Sequence, residues 1–209
     1  MTTHYFTPVP ESAHRRRTMT VTLRGRRFVL ETDRAVFAGR GIDRGSRLLI
    51  ESMSVAPQDI ILDLGCGYGV IGLAAAALTS EGWAHLVDVN ERAVTLAREN
   101  AARNRLSNVT AHLGDGVTPV ADLRFDLVLT NPPIRAGRPV VLRLFAGAHS
   151  VLRPGGHFLF VARTGQGART LARHAEAIFG GVMETAKGGG FRVYQAIKTA
   201  SAPGGSARV

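Results

Sequence analysis

Ile60-Ile-Leu-Asp-Leu-Gly-Cys-Gly-Tyr-Gly69 carries the reading of the fold. An apolar run holds Asp63 near its end, and glycines then alternate at Gly65, Gly67 and Gly69. Short apolar runs bounded by glycine read as buried strands. Glycine at every second position lets the backbone turn sharply and approach a ligand with no side chain in the way. Val70 to Thr79, rich in alanine, reads as the helix that follows. Strand, tight turn and helix together build a pocket at the carboxyl end of the strand, where open α/β sheets bind ligands. The expected occupant is a nucleotide-like cofactor.

Outward from this unit the alternation continues. Trp83 to Val89 reads as a strand and Glu91 to Arg105 as a helix; Val109 to Leu113 and Phe125 to Thr130 are strands. Arg138 to Leu152 is a helix closed by Arg153-Pro-Gly-Gly, His157 to Ala162 a strand, and Ala168 to Phe179 a helix. Val182 to Lys187 and Phe191 to Lys198 flank Gly188-Gly-Gly and read as an antiparallel hairpin. Alternating βα units imply a mostly parallel sheet covered by helices on both faces. On the N-terminal side, Thr18 to Glu31 alternates apolar and polar residues around Arg24-Gly25, a hairpin with Val21, Leu23, Phe28 and Leu30 inside. Asp43 to Ser54 reads as a helix that stops before Pro57. The expected organisation is an N-terminal extension over residues 1–55, an α/β core over 56–198 and a disordered tail over 199–209.

Composition narrows the setting. The 209 residues suit one domain, and the single cysteine, Cys66, allows no intrachain disulfide, which fits a reducing cytoplasm. The N-terminus lacks the apolar core of a signal peptide, and no apolar stretch approaches the roughly 20 residues that span a bilayer. Net charge is +10, and only Lys187 and Lys198 of the 26 basic residues are lysine. A GC-rich coding bias accounts for arginine over lysine but not for the excess of positive charge. Residues 1–47 hold ten arginines against four acids. Such an uneven basic surface suits a polyanion, and arginine's planar fork suits phosphate. His14, His85, His112, His149, His157 and His174 show no metal-ligand spacing, so no metal site is expected.

Two cofactor templates overlap at the glycines. Gly67-Tyr-Gly-Val-Ile-Gly72 satisfies the dinucleotide pattern G-x-G-x-x-G. Asp63-Leu-Gly-Cys-Gly-Tyr-Gly69 resembles motif I of the class I S-adenosylmethionine methyltransferases. Asp88, at the end of a strand in Leu86-Val-Asp-Val-Asn90, can accept both ribose hydroxyls, or else cap the next helix as Asn90 also can. Asp115, in Gly114-Asp-Gly116, can accept from an adenine amino group or serve as a turn residue. These carboxylates suit either cofactor. Asn131-Pro132-Pro133-Ile134, directly after a strand, separates the two. An exocyclic amine on a nucleobase delocalises its lone pair and attacks poorly. Two acceptors that bind both amine hydrogens favour a pyramidal nitrogen with its lone pair free. Asn131 offers a side-chain carbonyl, and Pro132 a backbone carbonyl on a chain that two prolines stiffen. The alternative reading of the prolines is a plain strand stop.

These residues, with His4-Tyr-Phe6, Thr32-Asp-Arg-Ala-Val-Phe37, Ile42-Asp-Arg-Gly-Ser46 and Leu48-Leu49, resemble the "methyltransferase small" family over roughly His4 to Lys198. That family includes the small-subunit ribosomal RNA guanine-N2 methyltransferases and compact archaeal relatives. The resemblance implies a Rossmann-like fold whose sheet has seven strands, and methyl transfer from S-adenosylmethionine to an exocyclic amine, guanine N2 in RNA above all. Asp63, Gly65, Cys66, Gly67, Tyr68, Gly69, Asp88, Val89, Asp115, Gly116 and Asn131 are the implied cofactor set. Phe37, Asp43, Gly45 and Ser46 are implied to border its methionine end, core packing being the other reading of Phe37. Asn131, Pro132, Pro133 and Ile134 are the implied catalytic loop. Arg15, Arg16, Arg17, Arg24, Arg26 and Arg27, with Arg135, Arg138 and Arg143 beyond that loop, are candidates for RNA phosphates, a solvated basic face being the alternative. Two departures from the family stand out. The longer ribosomal enzymes carry an extra N-terminal domain that this sequence lacks. Ile134 stands where an aromatic residue often stacks on the base; Tyr5, Phe6 or Phe37 are the available substitutes. Methylation of a protein glutamine amide or a small molecule, a non-catalytic RNA-binding module and a nicotinamide dehydrogenase are the competing readings. Monomer and homodimer are both open.

Overall fold

A computed structural model of the chain describes residues 16–33, 36 and 41–199. Strands β1 (Arg16–Leu23) and β2 (Arg26–Asp33) form the N-terminal hairpin. Arg24 and Gly25 join them with φ of 48° and 76°. Two successive positive φ values make the mirror-image turn whose twist matches a hairpin. Leu23, Phe28 and Leu30 are buried as expected, while Val21 is half-buried.

The main sheet has seven strands in the order β5-β4-β3-β6-β7-β9-β8. They are β3 (Ile60–Leu64), β4 (Trp83–Asp88), β5 (Val109–Leu113), β6 (Phe125–Thr130), β7 (Leu152–Arg163), β8 (Met183–Gly188) and β9 (Phe191–Ile197). The first five are mutually parallel, and β9 runs antiparallel between β7 and β8. From β3 the chain builds outward to β5, then returns to β6 on the other side. The order therefore reverses between β3 and β6, and a crevice opens at their carboxyl ends.

Helices α1 (Arg44–Ser52), α2 (Val70–Ala76) and α3 (Glu91–Arg103) cover one face; α4 (Arg138–Val151) and α5 (Ala168–Phe179) cover the other. Alternation along each strand feeds both cores. Ile61 faces the first, whereas Leu62 and Leu64 face the second. The second core is built around rings: Phe158 lies 5.0 Å from Phe145 and 5.2 Å from Phe179, centroid to centroid. Among the described residues no helix is long and apolar enough to cross a membrane.

Two boundaries differ from the sequence reading by three residues or more, each for a tertiary reason. β7 starts at Leu152 rather than His157. Arg153 pairs with Asp126 at 2.5 Å, and the Gly155 N–H donates to the Lys198 carbonyl at 2.7 Å, so the Pro-Gly-Gly stretch is drawn into the sheet. Helix α2 ends at Ala76 rather than Thr79. Asn108 takes over there: its Nδ2 donates to the Ala76 carbonyl at the helix end at 3.0 Å and to the Thr79 carbonyl just beyond at 2.8 Å.

The hairpin is attached by amides that imitate a neighbouring strand. Asn100 on α3 is fully buried; its Oδ1 accepts from the Glu31 N–H at 2.7 Å and its Nδ2 donates to the Glu31 carbonyl at 2.8 Å. The same Nδ2 donates to the Tyr68 carbonyl, in the glycine loop, at 2.9 Å. Asn104, one turn on, repeats the exchange with Val29. Asn100→Ala should strand buried polar groups on both β2 and the loop. The expected loss is about 3 kcal/mol, read by urea denaturation; a loss under about 0.5 kcal/mol would show that the hairpin does not rely on this residue.

Asp63 serves the glycine turn structurally. It is buried on the α2 side of β3, and its Oδ2 accepts from the Gly72 N–H at 2.8 Å. Burial, chiefly, with the nearby Asp88 charge, pushes its pKa up to about 7. Unfolded, the group titrates near pH ~3.9. Across that window the native state keeps a proton that the unfolded chain has released, so stability falls as pH rises from about 4 to 7. Asp63→Asn retains the acceptor for Gly72 and removes the titration. The variant's advantage in unfolding free energy should grow over this range to at most about 4 kcal/mol. Parallel pH profiles for variant and parent would refute the assignment.

Candidate active site

The turn after β3 is held against β4. The Gly65 and Cys66 N–H groups both donate to the Val87 carbonyl, at 2.9 and 3.0 Å, and the Gly67 N–H donates to Asp88 Oδ2 at 2.8 Å. Gly65 and Gly67 have φ of 72° and 57°, the left-handed region that favours glycine. A Cβ on Gly65 would meet nothing within 4 Å: it would project into open space at the crevice. Gly69 starts α2, and Gly72 lies so close to β4 that a Cβ there would sit 2.7 Å from the Leu86 side chain. The glycine that completed the dinucleotide pattern thus serves helix–strand packing.

A cavity of about 510 Å³ lies over the carboxyl ends of β3, β4 and β5. That volume is in the range of small-molecule and cofactor sites. Gly65 and Gly67 form its floor, Asp88 and Val89 one side, Gly114, Asp115 and Gly116 the far rim, and Asn131 and Pro133 the near rim. Asp88 accepts from the Gly67 and Asn90 N–H groups at 2.8 and 2.9 Å. Burial raises its pKa, against these hydrogen bonds. With a third bond from the Val89 N–H, these leave only part of the carboxylate's roughly four acceptor positions free. Asn90, not Asp88, caps α3 by accepting from Arg92 and Ala93. Asp115 is exposed, with Arg143 Nη2 at 3.6 Å.

Other residues of the expected cofactor set stand behind the wall. Asp63 faces Gly72, and Cys66 is buried with its thiol donating to the Gly67 carbonyl at 3.4 Å. Burial pushes the Cys66 thiol well up, so it is no nucleophile at rest. Tyr68 is buried, and its hydroxyl has no hydrogen-bond partner among the described residues. Phe37, Tyr5, Phe6 and Arg15 lie outside the described residues. Sequence reasoning missed Val36, Ala136, Val140 and Leu144, apolar wall residues with no signal beyond their type. Arg143, read as a candidate phosphate contact, is among the residues lining this cavity.

Asn131 stands where the cavity meets the start of α1. Its Nδ2 donates to Ser46 Oγ at 3.0 Å and to Asp43 Oδ1 at 3.3 Å. Asp43 also caps α1, accepting from the Gly45 and Ser46 N–H groups. A carboxylate can only accept, so the amide NH₂ must face α1 and Asn131 Oδ1 must face away from it. Thr130 fixes the strand end by donating its hydroxyl to the Leu64 carbonyl at 2.7 Å. Pro133, at φ −75° and ψ 77°, is the centre of an inverse γ-turn in which the Ile134 N–H donates to the Pro132 carbonyl at 2.9 Å. One lone pair of that carbonyl is therefore occupied and one remains. Ile134 is half-buried and packs on the second core, and no aromatic ring lines the cavity among the described residues.

The expected basic track divides. Arg16 Nη1 donates to Glu99 at 2.7 Å. Arg24 Nη1 donates to the carbonyls of Ile50, Glu51 and Met53, closing the C-terminus of α1. Arg26 donates to the Asn104 carbonyl at 3.2 Å and lies over the Phe28 ring. These three hold the hairpin in place. Arg17, Arg27, Arg135 and Arg138 are exposed. No cluster of three or more metal-ligating side chains occurs among the described residues.

Comparison with known proteins follows the same lines. Residues 27–195 match the model of the Methyltransferase small domain family. The uncharacterised protein YbxB of Bacillus subtilis is 37% identical over 200 residues, covering 95% of this chain and all of that one. The ribosomal RNA large subunit methyltransferase G of Shewanella loihica is 35% identical over 188 residues, covering 80% of this chain but 44% of that protein. The 16S rRNA N2 G methyltransferase RsmC of T. thermophilus, solved with AdoMet and guanosine, superposes with a TM-score of 0.79 at 25% identity, over 90% of this chain and 52% of that one. This chain thus spans about half the length of the named enzymes it matches. It belongs to the Methyltransferase small domain family and is a methyltransferase of the class I, S-adenosylmethionine-dependent fold.

Proposed function

We propose that this protein transfers a methyl group from S-adenosylmethionine to an exocyclic amine of RNA, with guanine N2 in ribosomal RNA as the acceptor. The observation that carries the reading is the orientation of Asn131: its NH₂ is engaged by Ser46 and Asp43, and its Oδ1 makes no hydrogen bond to the described residues. The named relatives act on ribosomal RNA, and RsmC was solved with guanosine, which supports the choice of acceptor.

The cavity fits the cofactor. Its floor has no side chain at Gly65, Asp88 keeps part of its acceptor capacity for a ribose diol, and Val36, Val89 and Leu144 give apolar walls for a base. Asp115, at the far rim, is the acceptor available to an amino group there. S-adenosylmethionine, when bound, supplies a methyl group on a cationic sulfur. The chain's own residues handle the amine. Asn131 Oδ1 accepts one of its hydrogens and the free lone pair of the Pro132 carbonyl accepts the other. Held so, the nitrogen loses conjugation with its ring and keeps its lone pair unshared. This is positioning and electrostatic stabilisation, with no side chain acting as a strong base. The proton displaced by the methyl group leaves to water.

Asn131→Ala should retain S-adenosylmethionine affinity by calorimetry and lose about 10²–10³ in turnover on unmodified ribosomal RNA. Ser46→Ala, which frees the amide to rotate, should lower kcat with KM little changed, and Ser46→Thr should restore it. Parental turnover in Asn131→Ala would end the proposed role of this loop.

A further inference from the structure

Among the described residues many cationic side chains are spent within the fold and six gather on one rim, while Arg17, Arg27 and Arg105 stand exposed elsewhere. Arg16, Arg24, Arg98, Arg103 and Arg153 all bind carbonyls or carboxylates of the chain. Arg44, Arg135, Arg138, Arg163, Arg169 and Lys187 are exposed and make no hydrogen bond or ion pair with the described residues. All six sit at the carboxyl end of the sheet, on the side of Asn131 away from the glycine loop. Arg135 and Arg138 lie four and seven residues beyond Asn131; Arg163 ends β7, Arg169 lies in the first turn of α5, Arg44 opens α1, and Lys187 is the penultimate residue of β8.

These segments touch one another. Thr164 N–H donates to the Gly190 carbonyl at 2.9 Å, and Arg163 is paired with Phe191. A Cβ on Gly45 would lie 2.8 Å from the Phe191 ring, and one on Gly189 would lie 3.5 Å from Arg44 Cδ, so the hairpin turn lies against the start of α1. Burial, chiefly, and the charges of Arg138 and Arg173 lower the pKa of His174 in the middle of α5, so the start of α4 lies near that helix. Acids are scarce here. Asp43 is committed to capping and to Asn131, and Glu184 is paired with Arg192. Helices α1, α4 and α5 have no acid in their first turn, and each carries an arginine there. Cations at the positive end of a helix dipole are mildly destabilising in the free protein. A bound polyanion would relieve that repulsion.

We propose that this rim carries the phosphates of a single-stranded RNA segment on either side of the target base, and that the N-terminal hairpin does not. The proposal rests on the RNA reading above, and it locates the track on the acceptor side of Asn131. Arginine's paired donors suit phosphate, and a row of such contacts leaves a steep dependence of affinity on salt.

The test compares two pairs of exposed residues outside the cofactor cavity. Arg163→Gln/Arg169→Gln removes two rim charges; Arg17→Gln/Arg27→Gln removes two hairpin charges. Binding of a short fluorescent oligoribonucleotide is measured across a salt series, with thermal stabilisation by S-adenosylmethionine as a check on the fold. The rim pair should bind more weakly, with a log–log salt slope shallower by about 0.7 per lost contact, and the hairpin pair should match the parent. An unchanged slope in the rim pair, or a loss confined to the hairpin pair, overturns the rim. Parental protein that binds cofactor but neither binds this probe nor methylates unmodified ribosomal RNA overturns the RNA reading itself, and the rim with it.

Discussion

The turn after β3 must stay within hydrogen-bonding distance of the neighbouring strand while leaving space above itself. Two successive N–H groups, of Gly65 and Cys66, converge on the single carbonyl of Val87, and a third, of Gly67, reaches Asp88. That pinning fixes the cavity floor, turns the Asp88 carboxylate toward the crevice and starts α2 at the angle that brings Gly72 onto Leu86. A side chain at Gly65 would meet no atoms but would require a left-handed backbone, so the constraint there is conformational rather than steric. At Gly72 it is steric. One motif therefore contains glycines retained for opposite reasons.

The N-terminal layer completes what the α/β core begins. Asn100 bonds the hairpin and the glycine loop at once and so ties the two together. Arg24 closes the far end of α1, and Asp43 with Ser46 at the near end orients Asn131. The amide at the near rim of the cavity is thus held by residues nearly ninety positions earlier in the chain. Buried networks of this kind specify one arrangement at the cost of tolerance to change.

Much of this was legible in the sequence. The strand–glycine–helix unit, the βα alternation and the Arg24-Gly25 turn follow from local pattern, and the strands at 60–64, 109–113 and 125–130 lie where periodicity put them. The Asn-Pro-Pro loop and the acids at the ends of β4 and β5 were visible because each lies where a strand stops. Long-range partnership was not visible. Nothing in the composition of Arg16, Arg24 or Arg26 distinguishes an arginine engaged by carbonyls from one left to solvent, and so the basic N-terminal stretch read as a track. Asp63 read as a ligand residue because it stands in the motif; its side chain turns instead toward Gly72, since alternation along β3 places it on the α2 face. Apolar wall residues such as Val140 and Leu144 have no signature apart from helical spacing.

Cys66 is the chain's lone thiol, enclosed by the turn that forms the cavity floor, with its ionisation suppressed by burial. A thiol in that state is nearly inert to alkylating reagents until its surroundings open. The labelling rate of this one sulfur therefore serves as an intrinsic clock for breathing of the floor, and any occupant that clamps the turn onto β4 slows it.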